Sequence, residues 1–133
     1  MTLSKFSRYA LFAAVEMARA DGRPVTVAEV AEPHGIPAAA LAKVFQQLVR
    51  AGLAVGTRGI GGGYRLARPR TGITVLDVVS VFEPLRLPGR HFLHGRPGEA
   101  MQPGTAALQR LFDEVDEGIR ATLASVTLDT LVR

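Results

Sequence analysis

Lys43, Gln46 and Gln47, together with Ala39, Ala40 and Ala42, lie on one side of a segment whose other side carries Leu41, Val44, Phe45 and Leu48. At 3.6 residues per turn the polar set and the apolar set face opposite ways. Lysine donates to guanine O6 and N7, glutamine pairs with adenine N6 and N7, and an alanine methyl can touch a thymine methyl. The outward set therefore has the chemistry of base-edge contact. A merely solvated helix face can carry the same residues, and the next stretch of chain shifts the balance. Arg58-Gly59-Ile60-Gly61-Gly62-Gly63 precedes Tyr64, with short alternating runs on both sides. An arginine at the tip of such a turn can enter the electronegative minor groove of DNA. Gly59, Gly61 and Gly62 would let the backbone approach phosphates closely. The plainer alternative is a tight turn beside a solvated arginine. A nucleotide-binding loop is a poor fit, because the Gly-Lys-Ser/Thr ending is missing.

Other chemistry is thin. His91-x-x-His94, with Arg86 and Arg90 close by, is the one further cluster. Two imidazoles could join a carboxylate around a metal, but no third ligand is evident and no metal is assigned. The alternatives are an effector pocket lined by Arg86, Arg90, His91 and His94, or an ordinary polar loop. Glu16, Glu29 and Glu83 are isolated acids, and neither Gly-x-Ser-x-Gly nor His-Glu-x-x-His occurs, so no catalytic residue is assigned. Cysteine is absent, which excludes disulfides, thiolate metal sites and cysteine-ligated iron–sulfur clusters. No cofactor is expected.

The elements that must position these residues can be read from periodicity and punctuation. Phe6, Ala10, Ala13 and Met17 recur at helical spacing, which predicts a helix over Ser4 to Ala20 with Ser4 as its cap. Thr26 and Glu29 form a capping box that opens a short helix, which Pro33 should end early. His34-Gly35 makes a turn, and Pro37 suits the start of a longer helix that Gly52 closes. Two helices joined by a tight glycine turn are a helix-turn-helix. Leu53, Val55 and Thr57, then Tyr64 and Leu66, alternate as the two strands of a hairpin, or wing. Thr74-x-x-Asp77 starts another helix that should reach about Phe82. Residues 84–104 read as a long Pro/Gly-rich loop. Leu108, Leu111, Phe112, Val115, Ile119 and Leu123 then mark one face of a helix of about twenty residues, and Val126-Thr127-Leu128 begins a short capped tail. The fold class is mainly α with a small β-hairpin (α+β).

Bulk properties agree. The 133 residues suit one compact domain with an appended helix, and 47% are hydrophobic, enough for a modest core. No apolar run is long enough to span a membrane, and no signal peptide is apparent, so a cytoplasmic protein is expected. The net charge of +4 is unevenly placed. Residues 1–70 hold ten Lys/Arg against four acids, while the remainder holds six against eight. A basic half facing a polyanion explains this; an arginine-rich surface of no particular purpose explains it equally well.

Several phrases resemble the Rrf-two family of bacterial winged-helix regulators, which includes the iron–sulfur cluster assembly regulator and the nitric-oxide-sensing repressor. They are Ser7-Arg8-Tyr9-Ala10-Leu11, Val27-Ala28-Glu29-Val30-Ala31-Glu32, Gly35-Ile36, Leu48-x-x-Ala51-Gly52-Leu53, Arg58-Gly59-x-Gly61-Gly62-Gly63-Tyr64-Arg65-Leu66-Ala67, Ile73-Thr74-Val75-Leu76-Asp77-Val78 and Val126-Thr127-Leu128. The likeness runs through nearly the whole chain apart from the 84–104 loop, and the wing phrase is its most specific part.

The resemblance implies a winged helix-turn-helix over residues 1–83, a sensor or effector loop over 84–104, and a dimerisation helix with tail over 105–133. It implies a homodimer on a pseudo-palindromic operator in double-stranded DNA, more often a repressor. It adds Ser4, Lys5 and Arg8 as contacts to the DNA backbone, although an ordinary surface position accounts for them nearly as well. Leu108, Leu111, Phe112, Val115, Ile119 and Leu123 become the dimer interface. Many relatives carry three cysteines in the loop as cluster ligands, and this chain has none, so its signal, an unknown small molecule or partner protein, is left open. It also has Ala39, Ala40 and Ala42 where many relatives have Ser, Tyr and Glu, and a proline at 33 where they have none. The operator should therefore differ from theirs. The competing expectation is a winged-helix protein–protein interaction module, controlled by a partner and binding DNA weakly.

Overall fold

A computed structural model describes residues 2–83 and 103–133. Helix α1 (Lys5–Ala20) is the central rod. Ser4 caps it by accepting the amide of Ser7 at 3.2 Å. Its buried side is small (Ala10, Ala13, Ala14 and Ala18 around Met17), so neighbouring helices approach closely. Helices α2, α3, α4 and α6 and the wing all pack on it. That explains why the sequence reads as apolar over so wide an arc.

Helix α2 (Val27–His34) is capped by Thr26, whose hydroxyl accepts the Glu29 amide at 3.1 Å. The reciprocal half of the expected capping box is not made. The Glu29 carboxylate instead accepts from Arg23 at 3.2 Å. Pro33 does not end the helix early either; α2 continues through it to His34. The proline cannot donate four residues back to the Glu29 carbonyl and its ring crowds that group, but only one helical residue follows it, so little of the helix has to accommodate the disturbance. Glu29 is exposed, so water can take that acceptor. The helix then closes at Gly35, whose φ is 63°, and the Ile36 amide reaches back to Ala31 at 3.0 Å.

Helix α3 (Ala38–Arg50) follows with Pro37 as its N-cap residue. Leu41, Val44, Phe45 and Leu48 are its buried stripe, each 1% exposed or less. Past Gly52 the Leu53 amide returns to Leu48 at 3.0 Å, a closing geometry that satisfies carbonyls the helix end would otherwise strand.

Strands β1 (Ala54–Thr57) and β2 (Gly63–Leu66) pair antiparallel, Ala54 opposite Leu66 and Thr57 opposite Gly63. Val25 adds a one-residue bridge on the far side of β2, exchanging two 2.8 Å hydrogen bonds with Tyr64. The hairpin is thus fastened to the start of the helix-turn-helix. A capping box between Thr74 and Asp77 starts α4 (Val75–Val79), which gives way to turns before Phe82.

Helix α5 (Pro103–Ala124) has 22 residues and meets α4; at 1.5 Å per residue it is about 33 Å long. It therefore takes in residues 103–104, which their Pro-Gly composition had assigned to the loop. The chain then returns. The Leu128 amide donates to Ile73 at 2.9 Å, the Val75 amide to Val126 at 2.9 Å, and Arg70 pairs with Asp129 at 2.9 Å. Helix α6 (Leu128–Val132) rests on α1, with Leu128 fully buried. What reads as a tail is a piece of the N-terminal core.

Candidate nucleic-acid interface

The outward side of α3 is built by exclusion. Once Leu41, Val44, Phe45 and Leu48 are buried, Ala39, Lys43, Gln46 and Gln47 must face solvent, and all four are exposed. Ala40 and Ala42 are half-buried at the margins of that face. Lys43 has no carboxylate within 4.0 Å among the described residues, and the same holds for Arg50, Arg58 and Arg65. Several acids lie against other partners: Glu16 against Arg19 and His34, Glu29 against Arg23, and Asp77 against Arg68. Uncommitted cations on α3 and the wing thus sit beside donors that can read base edges.

The wing is rigid at its base and bare at its tip. Tyr64, expected among the DNA contacts, is half-buried, and its ring stacks on Phe45 of α3 with centroids 4.5 Å apart and planes 14° apart. This stack couples the hairpin to the reading helix. At Gly63 the φ is 146°, and a β-carbon there would lie 2.5 Å from the Val25 carbonyl oxygen. At Gly62 a β-carbon would lie 2.3 Å from the Thr57 oxygen. These two glycines let the hairpin close. Gly59 and Gly61 border open space, Arg58 is exposed, and Ile60 stands fully in solvent, with a relative exposure of 110%.

Ser4, Lys5 and Arg8 come together on the first turn of α1. Lys5 and Arg8 are exposed; the Lys5 ammonium lies 5.5 Å from the centre of the Phe6 ring, and Arg8 donates to the Leu3 carbonyl at 3.1 Å. Sequence reasoning missed three contributors. Arg65 was legible in principle, because strand alternation turns it outward once Tyr64 faces in. Gly63 needed knowledge of Val25. Glu83, whose carboxylate meets α1, gave no local signal. The candidate effector residues Arg86, Arg90, His91 and His94 lie outside the described residues.

Among those proposed for the dimer, Leu108, Leu111, Phe112 and Val115 are between 39% and 51% exposed along α5, and Ile119 and Leu123 are half-buried.

The sequence profile of the Rrf2 (Rrf-two) family, described as iron-dependent transcriptional regulators, matches residues 3–133. The chain belongs to the Rrf2 family. It is a DNA-binding transcriptional regulator. An HTH-type transcriptional regulator of Rhodopseudomonas palustris, BadM, is 33% identical over all of this chain and 82% of its own length. Two solved structures, both 26% identical and both with a TM-score of 0.80, share the fold. The global cysteine regulator CymR of B. subtilis matches 99% of this chain and 96% of its own; IscR of T. potens matches 99% and 86%. These neighbours confirm the mainly helical winged fold with its antiparallel hairpin. Iron held by thiolates does not fit this Rrf2 chain, which has no cysteine. Among the described residues no three histidine or acidic side chains converge on a metal site, and no helix is long and apolar enough to cross a membrane.

Proposed function

We propose that this Rrf2 regulator is a homodimeric repressor that binds a pseudo-palindromic operator, with α3 in the major groove and the wing in the minor groove. The observation that carries the reading is the exposed Lys43-Gln46-Gln47 face of α3, fastened through the Phe45–Tyr64 stack to a wing with an uncommitted Arg58. Lys43 suits guanine, Gln46 and Gln47 suit adenine, and Ala39 suits a thymine methyl. Lys5 and Arg8 would hold phosphates, which fixes register without reading sequence. The exposed apolar face of α5 supports pairing with a second copy, since a helix of this length with so much bare leucine, valine and phenylalanine is poorly suited to water. A twofold dimer then requires half-sites about 34 Å apart, or a multiple of that.

The test is fluorescence anisotropy on the DNA upstream of the protein's own gene, at ionic strengths from about 50 to 200 mM. About six neutralised phosphates give a slope near −5 in log K against log salt. Lys43→Ala should lower discrimination against unrelated duplex by roughly tenfold. Salt-insensitive binding, or equal affinity for any duplex, would sink the proposal, and the second outcome would favour a protein-docking module.

A further inference from the structure

Glu83 stands at the end of the turns after α4, far in sequence from α1, yet its Oε1 closes a network on the first turn of α1. It accepts the Ser4 amide at 2.7 Å across 79 positions of sequence. It accepts the Ser7 hydroxyl at 2.7 Å across 76. The Ser4 hydroxyl donates in turn to the Ser7 oxygen at 3.2 Å, while the Ser7 amide donates to the Ser4 oxygen at 3.2 Å. An ionised carboxylate can only accept, so it fixes the direction of the chain: Ser4 to Ser7, Ser7 to Glu83. Ser7 is fully buried with Glu83 in place, so its hydroxyl reaches this carboxylate shielded from bulk solvent. The neighbouring Phe82 stacks on Phe6 of the same turn, with ring centroids 6.5 Å apart.

The first turn of a helix has unsatisfied amides and tends to fray. A negative charge placed against it is also favourable to the helix dipole. Lys5 sits between the two serines that Glu83 holds, and Arg8 directly follows Ser7. Resting on the DNA reading above, we infer that Glu83 is a positioning residue for operator binding: it locks the first turn of α1 so that Lys5 and Arg8 meet the phosphate backbone already in place.

The experiment measures operator affinity against salt for the full chain and four variants: Glu83→Ala, Glu83→Gln, the Lys5→Ala/Arg8→Ala pair, and that pair combined with Glu83→Ala. Glu83→Ala should weaken binding roughly tenfold, about the effect of one charge-assisted hydrogen bond. It should also flatten the salt slope by about one to two, near 0.9 for each phosphate no longer neutralised. Glu83→Gln keeps an acceptor oxygen and should recover most of both; it also covers the case in which the alanine variant does not fold. In the Lys5→Ala/Arg8→Ala background, Glu83→Ala should have under about twofold further effect, because the groups it positions are gone. Equal losses in both backgrounds, with an unchanged slope, would show a purely structural glutamate and overturn the inference while leaving the DNA reading intact. A wild-type slope near zero would instead remove the DNA reading, and this inference with it.

Discussion

Replacing Gly63 by alanine should be far more damaging than replacing Gly61, although both belong to the same glycine run and both have positive φ. At Gly61 the φ is 77° and nothing lies within 4 Å of a new β-carbon. Alanine there meets only the left-handed backbone penalty, about 1–2 kcal/mol. At Gly63 the φ is 146°, and the β-carbon would sit 2.5 Å from the Val25 oxygen and 2.8 Å from its carbonyl carbon. Backbone cannot swing aside as a flexible side chain does, so Val25 and Tyr64 must part. That breaks two 2.8 Å hydrogen bonds, each contributing about 1 kcal/mol. With backbone strain of about 1–3 kcal/mol, the total is roughly 3–5 kcal/mol, a large share of the 5–15 kcal/mol typical of a folded domain. Urea unfolding measures the difference. With a slope of about 1.5 kcal/mol per molar, Gly63→Ala should move the midpoint by at least about 2 M, and Gly61→Ala by about 1 M. Gly62→Ala, without positive φ but with a 2.3 Å approach to Thr57, isolates the steric part. Should Gly63→Ala fall within about 1 kcal/mol of Gly61→Ala, the wing is not anchored through Val25.

Arg58→Ala removes an exposed cation that has no carboxylate within reach among the described residues, so it should leave the unfolding midpoint unchanged and lower operator affinity roughly tenfold; unchanged affinity in a filter-binding titration would take the wing out of the mechanism. Leu111→Glu puts a charge in the middle of the exposed α5 face, where leucine is 51% exposed, and should raise the dimer dissociation constant more than about a hundredfold by sedimentation; a dimer that persists would place the interface elsewhere. Glu83 accepts hydrogen bonds from Ser4 and Ser7, which hold its carboxyl below the ordinary value of 4.5. Its stabilising contribution is therefore present above that value and lost as pH falls through the depressed one. The urea midpoints of the wild type and Glu83→Gln should then converge on acidification, and a gap that stays constant from pH 7 to about pH 3 would contradict this.

The parts of the fold legible in the sequence are those set by near neighbours. Leu41, Val44, Phe45 and Leu48 can bury one stripe only on a helix, and Gly52 and the glycines after Arg58 mark where the chain must turn. Pro33 misleads because its rule concerns a helix interior, while here the helix has one residue left to run when the proline is reached. Glu29 follows the capping-box spacing, yet it commits its carboxylate to Arg23, which the spacing cannot reveal. Residues further apart are harder still. Leu128 packs into the N-terminal core where its amide meets the Ile73 carbonyl, and Glu83 accepts the Ser4 amide; neither partner is near in the chain. The two kinds of residue differ in function as well. Lys43, Gln46, Gln47 and Arg58 are exposed and carry little of the fold, so substitutions there should change DNA affinity alone. Tyr64 and Glu83 tie α3 and α1 to distant parts of the chain, and Gly63 lets the hairpin meet Val25, so under the proposed DNA reading substitutions there should change stability and affinity together. The Phe45–Tyr64 stack is the junction between them: a disturbance of the wing base should reach α3 through that ring pair before it reaches the rest of the core.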